Sequence, residues 1–266
     1  MSEKMFTTAI VREPSARFGD GLTSSALGPP DLERALQQHQ AYCEALKSCG
    51  LEVVQLPADE KHPDSTFVED TAILTARGAI ITLPGAESRR GEIDAIAPLL
   101  RHYYNDLHSI REPGTVDGGD VCQAGEHFLI GVSNRTNEDG ANQLARWLDS
   151  VGYSSSLIDI RGISNILHLK SGLAYIGGIG GIGSERLLIT ETLPPHEEFR
   201  RYELTYLSSV EQYAANCVAL NGKVLVAAGF DRMKIQLEDL GYQTITLGMS
   251  EFQKMDGGLS CLSLRF

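Results

Sequence analysis

From Asp31 to Cys49, the positions suited to a core (Leu32, Ala35, Leu36, His39, Tyr42, Cys43 and Leu46) recur at three- and four-residue steps. That period marks one face of an α-helix, with Pro29-Pro30 ahead of it and Gly50 as its stop. It recurs over Ser88 to Tyr103 (Ile93, Ile96, Leu99, Leu100, Tyr103) and over Asn137 to Val151 (Ala141, Leu144, Ala145, Leu148, Val151), the latter ended by Gly152. A shorter helix is predicted over Asp231 to Leu240, closed by Gly241. Between the helices the pattern changes to short apolar runs of strand type, the first being Leu51 to Leu56. Thr71 to Leu83 and Asp120 to Val132 each read as strand, turn, strand. Ser171 to Gly177 with Arg186 to Thr190, and Asn216 to Ala228, repeat that pair; Asn221-Gly222 is a hairpin signal in the last.

With the N-terminal unit, this gives roughly five ββαβ units at a spacing of about 50 residues, the range of radial and linear repeat architectures. The expected fold is α/β, one domain over residues 1–266, although a three-layer α/β sheet would fit the spacing too. Two segments break the rhythm. Pro14 to Pro30 is rich in Gly, Ser and Pro, a composition suited to a mobile lid. Gly177 to Gly183 lacks the Lys-Ser/Thr of a phosphate-binding loop, and no strong helix follows it, so a flexible hairpin or oligomer contact is the better reading.

Composition narrows the class. The 266 residues are 42% hydrophobic and 22% charged, ordinary for a soluble protein. The longest apolar runs are far below the ~20 residues of a membrane span, and no apolar segment follows Met1-Ser-Glu-Lys, so a cytoplasmic protein without membrane association is expected. A net charge of −12 argues against nucleic acid as a partner and suits a cationic small molecule, although solubility alone would explain it. Five scattered cysteines (43, 49, 122, 217 and 261) form neither a disulfide framework nor a zinc site.

No G-x-S-x-G elbow or H-E-x-x-H motif is present. Polar residues instead stand where the units begin: Asp64, Phe67, Glu69 and Asp70; Asp117-Gly118-Gly119-Asp120; His168-Leu169-Lys170; and Met255 to Cys261. In a radial arrangement these starts converge, bringing a Cys, a His and several carboxylates to one mouth. Cys with His supplies a nucleophile and a proton shuttle. Carboxylates beside a thiol raise its pKa, which suits a bound cation whose charge offsets theirs. A guanidinium offers N–H edges for carboxylates and an electrophilic carbon for a thiolate. Each residue also has a plainer reading: Cys261 as packing in a terminal strand, His168 as a core histidine among Ile166, Leu167 and Leu169, Asp117 and Asp120 as turn formers, Glu69 and Asp70 as backbone partners, Arg89-Arg90 as a solvated pair.

Phe67-Val-Glu-Asp70, Pro84 to Arg90, Asp117 to Val121, Arg135-Thr-Asn137, His168 to Ser171, Ala214 to Cys217 and Asp256 to Cys261 together resemble the dimethylarginine dimethylaminohydrolases of the guanidine-modifying superfamily. The resemblance runs in order along nearly the whole chain. It implies a five-bladed α/β propeller (pentein) around a central substrate pocket. It implies Cys261 as nucleophile, His168 as acid and then base, and Asp117 as the carboxylate paired with the histidine. It further implies Glu69 and Asp70 near the guanidinium, Asp64 as a substrate contact, and Arg89 and Arg135 on the amino acid's carboxylate. Leu22 would meet the α-amino group, Phe67 would pack on the substrate, and the Met255–Asp256 backbone would line the pocket. The substrate would be a methylated arginine released as citrulline, no metal or organic cofactor is implied, and a homodimer is an allowed assembly. An arginine deiminase-like or citrulline-cleaving enzyme on the same scaffold, and a non-catalytic binder of cationic amino acids, are the alternatives.

Overall fold

Each hairpin-then-helix phrase becomes a separate three-stranded sheet. The computed structural model describes residues 6–177 and 185–266. In the first unit β1 (Thr8–Arg12) and β2 (Glu52–Leu56) run parallel, joined by α1 (Leu32–Ser48). The second holds β3 (Ala72–Thr75), β4 (Gly78–Ile81), α2 (Ile93–Leu100) and β5 (Leu107–Ser109). The third holds β6 (Val121–Ala124), β7 (His127–Val132), α3 (Glu138–Ser150) and β8 (Ser154–Asp159). The fourth has β9 (Leu173–Tyr175), β10 (Arg186–Thr190) and β11 (Glu203–Leu207); the fifth has β12 (Val218–Leu220), β13 (Lys223–Ala227), α4 (Asp231–Asp239) and β14 (Gln243–Leu247). After the short α5 (Ser250–Gln253), β15 (Leu264–Arg265) returns antiparallel beside β1 and completes the first sheet. In all five sheets the middle strand has one antiparallel and one parallel neighbour. This is the five-unit α/β propeller that the resemblance implies, and it matches the count of units read from the repeat.

Local chemistry explains the elements. Asp31 caps α1 by accepting the Arg34 N–H, and Asn137 caps α3 by accepting from Gly140. Ala35, Tyr42 and Leu46 on the inner face of α1 are fully buried, each large side chain contributing on the order of 1.5–3 kcal/mol. Asn221 and Gly222 both take positive φ (47° and 79°), as the tight β12–β13 hairpin requires.

Two expectations need correction. The helix predicted over Ser88 to Tyr103 is cut down to Ile93–Leu100, preceded by 3-10 turns over Glu87–Glu92. The tighter backbone turns Arg89 inward onto buried carboxylates, and Pro98 removes an N–H from the helix interior. The fourth unit crosses over through a 3-10 segment, Glu197–Arg201, where Pro194-Pro195 and a short connection leave no room for an α-helix. Of the glycine run, Gly177 has φ 66° and its carbonyl accepts from Tyr242 Oη at 2.7 Å; the rest lies outside the described residues. No helix among the described residues is long and apolar enough to cross a membrane.

Candidate active site

Ahead of the first strand of every unit the chain makes a 3-10 turn: Val68–Thr71, Gly118–Asp120, Leu169–Ser171, Ser209–Ala215 and Ser260–Leu262. These turns pack against one another around the centre, so the unit starts do meet at one place. Glycines make the close approach feasible. A Cβ on Gly118 would run into the Glu69 carbonyl, and one on Gly119 would stand 2.7 Å from His168 Nδ1.

His168 Nε2 lies 3.0 Å from Asp117 Oδ2, and Asp117 is fully buried. The other Asp117 oxygen accepts the Gly85 N–H at 2.8 Å, which fixes the carboxylate plane. Burial alone would lower the His168 pKa; Asp70, the hydrogen bond to Asp117 and Asp120 outweigh it and lift the imidazole to about 9. Asp120, read from sequence only as a turn former, holds the next residue in place by accepting the Leu169 N–H and the Ser133 hydroxyl. Burial, partly offset by His168, raises its own carboxyl to about 6.

Cys261 sits in the last turn, partly exposed, with Sγ accepting the Gly258 N–H at 3.4 Å. Its thiol is pushed up to about 12 by burial, then by Glu69 and Asp70. The same Asp70 therefore acts on thiol and imidazole. Burial also opposes its own ionisation, but Arg89 and His168 prevail and hold it near 2. The other four cysteines are buried, and burial raises Cys43, Cys122 and Cys217 to about 11, 11 and 12.

The paired acids Glu69 and Asp70 face different neighbours. Glu69 accepts from Ser260 Oγ at 2.7 Å and pairs with Lys170 Nζ at 2.6 Å and Arg265 at 3.5 Å. Its charge is largely met by the protein. Asp70 takes the Gly119 N–H at 2.7 Å and Arg89 Nη1 at 2.6 Å.

Arg89 departs from the solvated-pair reading. It is buried and spans Asp70, both oxygens of Glu92 and the carbonyls of Phe67 and Asp64. Arg135 is the more open guanidinium; its Nη1 stands 4.0 Å from Asp117. Phe67 is also more enclosed than a substrate platform requires: its ring packs on Phe18, Phe252 and the Gly257 backbone.

The Pro14–Pro30 segment lies across this region. Leu22 N–H points at both oxygens of Asp64 (3.0 and 3.1 Å), Thr23 Oγ1 donates to Lys254 O, and Ser24 binds Asp256 Oδ2 through N–H and hydroxyl. Burial raises the Asp64 pKa against the pull of Arg89 and the Leu22 N–H. Asp256 takes φ 57°, a left-handed turn that brings its carboxylate to Ser24, and Met255 is buried beside Gly21. Glu92, Lys170, Ser260 and Asn216 complete the surroundings; sequence reading gave them no role.

Asp70, Asp117 and His168 also place one potential ligand atom each within 4.8 Å of one another. Arg89, however, already pairs with the first, and the second is engaged by His168 Nε2 and the Gly85 N–H.

A central thiol, an imidazolium–carboxylate pair and a ring of five α/β units define a pentein-type cysteine hydrolase. Residues 30–176 match the family model for eukaryotic N,N-dimethylarginine dimethylhydrolase. The chain is 43% identical to the N(G),N(G)-dimethylarginine dimethylaminohydrolase of Pseudomonas aeruginosa, over 98% of this chain and all of that one. It superposes on a cysteine-to-serine variant of the P. aeruginosa enzyme complexed with citrulline with a TM-score of 0.93 (42% identity; 99% of this chain, 100% of the other). A histidine-to-glycine variant of a dimethylarginine dimethylaminohydrolase, in adduct with S-methyl-L-thiocitrulline, gives 0.92 (43% identity; 98% and 100%). The chain belongs to the dimethylarginine dimethylaminohydrolase family.

Proposed function

We propose that the protein hydrolyses N-omega-methylated arginines to citrulline and dimethylamine or methylamine, with Cys261 as nucleophile, His168 as proton carrier and Asp117 as its orienting partner. The observation that carries this reading is the convergence of the unit-start turns, which gathers Cys261, the His168–Asp117 pair (3.0 Å) and the carboxylates of Glu69 and Asp70. The acidic surroundings push the thiol up to about 12 and the imidazole to about 9. Such a site idles as thiol and imidazolium until a cation enters. A guanidinium beside Asp70 offsets the negative field, favours loss of the thiol proton to solvent, and presents its carbon to sulfur.

The thiolate attacks that carbon. His168 gives its proton to the departing amine, the C–N bond breaks, and an S-alkylthiouronium remains on Cys261. The now neutral imidazole takes a proton from water, whose oxygen adds to the same carbon. The C–S bond then breaks, the added hydroxyl gives up its proton to solvent, and the thiolate returns as citrulline is released. Asp117 keeps the ring oriented through both proton transfers.

Arg135, with Arg89 behind it, holds the substrate carboxylate. The Leu22 carbonyl and Asp64 meet the α-ammonium, and the Met255–Asp256 backbone lines the pocket. Phe67 supports the floor from below. The proposed location is the cytoplasm, consistent with five unpaired thiols.

The test is to incubate purified protein with arginine, monomethylarginine, dimethylarginine and citrulline, and to measure citrulline, ammonia and amines. Citrulline formed from arginine as fast as from dimethylarginine would make the enzyme a deiminase. Binding without turnover of any of the four would make it a binder.

A further inference from the structure

Asn216 ends the Ser209–Ala215 turn, is 9% exposed, and lies 45 residues before Cys261 in sequence. Its side-chain amide joins two other turns of the central ring. Oδ1 accepts the Ser260 N–H at 2.8 Å, and Nδ2 donates to Ser260 Oγ at 3.0 Å and to the Lys170 carbonyl at 3.1 Å. Ser260 immediately precedes Cys261, and Lys170 lies two residues after His168.

The circuit closes on the opposite side. Ser260 Oγ donates to Glu69 Oε2 at 2.7 Å, and Lys170 Nζ pairs with Glu69 Oε1 at 2.6 Å. Gly258 packs directly against the Asn216 amide, where a Cβ would collide with Oδ1. The amide thus uses its acceptor and its donors on the two segments that carry the reacting groups.

We infer that Asn216 is a positioning residue: it sets the separation of the Cys261 and His168 turns without touching substrate. The inference rests on the proposed roles of those two groups. The amide bonds both segments directly, and no covalent connection shorter than the intervening chain relates them. Losing it leaves the two turns joined through the longer Ser260–Glu69–Lys170 path, which lets the thiol shift against its proton donor. A misplacement of ~1 Å costs on the order of 100-fold in rate. Substrate binding depends on other groups (Asp70, Asp64, Arg135), so the loss falls on kcat.

The experiment measures kcat and KM for dimethylarginine in Asn216→Ala, with each preparation normalised by thiol titration at Cys261. Expected is a fall in kcat per titrated site of at least about tenfold with KM within about twofold. Ser260→Ala in the same background should cost more than the two single losses combined, because it cuts the remaining Ser260–Glu69–Lys170 route between the turns. If Asn216→Ala fails to fold, Asn216→Asp keeps the volume and the acceptor but loses both donors, and should show the same kcat loss. A kcat per site within twofold of wild type overturns the positioning role; so does strict additivity with Ser260→Ala. Cys261→Ser is run alongside. If that variant still turns over, the nucleophile assignment itself fails; if it is dead while Asn216→Ala is unimpaired, only the positioning role falls.

Discussion

Asp70 and Arg89 form an ion pair 2.6 Å long in which both side chains are almost wholly buried. Glu92 completes the triad at 2.8 Å. One guanidinium thereby neutralises an acid of the catalytic mouth from behind. Replacing Arg89 by Ala strands two carboxylates in the interior. We expect a loss of about 3–5 kcal/mol, read by urea denaturation, whereas Arg135→Ala at the more open position should leave stability within about 0.5 kcal/mol and raise KM. Equal destabilisation by the two changes would refute this division of labour.

The His168–Asp117 contact predicts a titration. In Asp117→Asn the imidazole keeps its burial but loses a charged partner, so its pKa should drop from about 9 toward the ordinary 6.5, with Asp70 and Asp120 still holding it up. The C2 proton of His168 in NMR spectra reports this directly. Turnover should fall by roughly 10–100-fold, the worth of a charged hydrogen bond of about 1.5–3 kcal/mol. An unchanged titration midpoint would sink the proposed pairing.

Stability should also depend on pH through His168. Its folded pKa of about 9 lies above the unfolded 6.5. The stability it contributes is therefore complete below about 6.5 and is lost as pH rises through about 9. The urea midpoint should decline across that window, and the decline should shrink in His168→Gln. Asp70 gives the opposite limb: with a folded value near 2 against 3.8, its contribution is present above 3.8 and is lost as pH falls through 2.

Thiol reactivity gives a fourth measurement. With the Cys261 pKa at about 12, alkylation by iodoacetamide in the free protein should climb about tenfold per pH unit from 7 to 9 without levelling. A guanidinium ligand too short to block the thiol should raise the rate at pH 7. A plateau below pH 8 in free protein would mean that the thiol is already activated.

Much of this was legible in the chain. The three- and four-residue period placed α1, α3 and α4 to within one or two residues, because each has a clean apolar face and a capping or stopping residue. It misjudged α2, where the decisive interaction is Arg89 reaching back to Asp70, 19 residues earlier. Unit starts were found because polar residues interrupt an apolar rhythm there, and the geometry does bring them together. Which way each side chain points was not legible. Glu69 and Asp70 are neighbours in sequence, yet one meets Lys170 and the other Arg89, a difference set by the turn's pitch. Asn216 lay inside a motif noted for its resemblance, but its partners stand 44 and 46 residues away in different units, beyond any local pattern.

The first sheet is assembled from both ends of the described chain, since β15 pairs with β1. The turn that carries Cys261 leads straight into that closing strand, so the position of the thiol is tied to the pairing of the two ends of the first sheet.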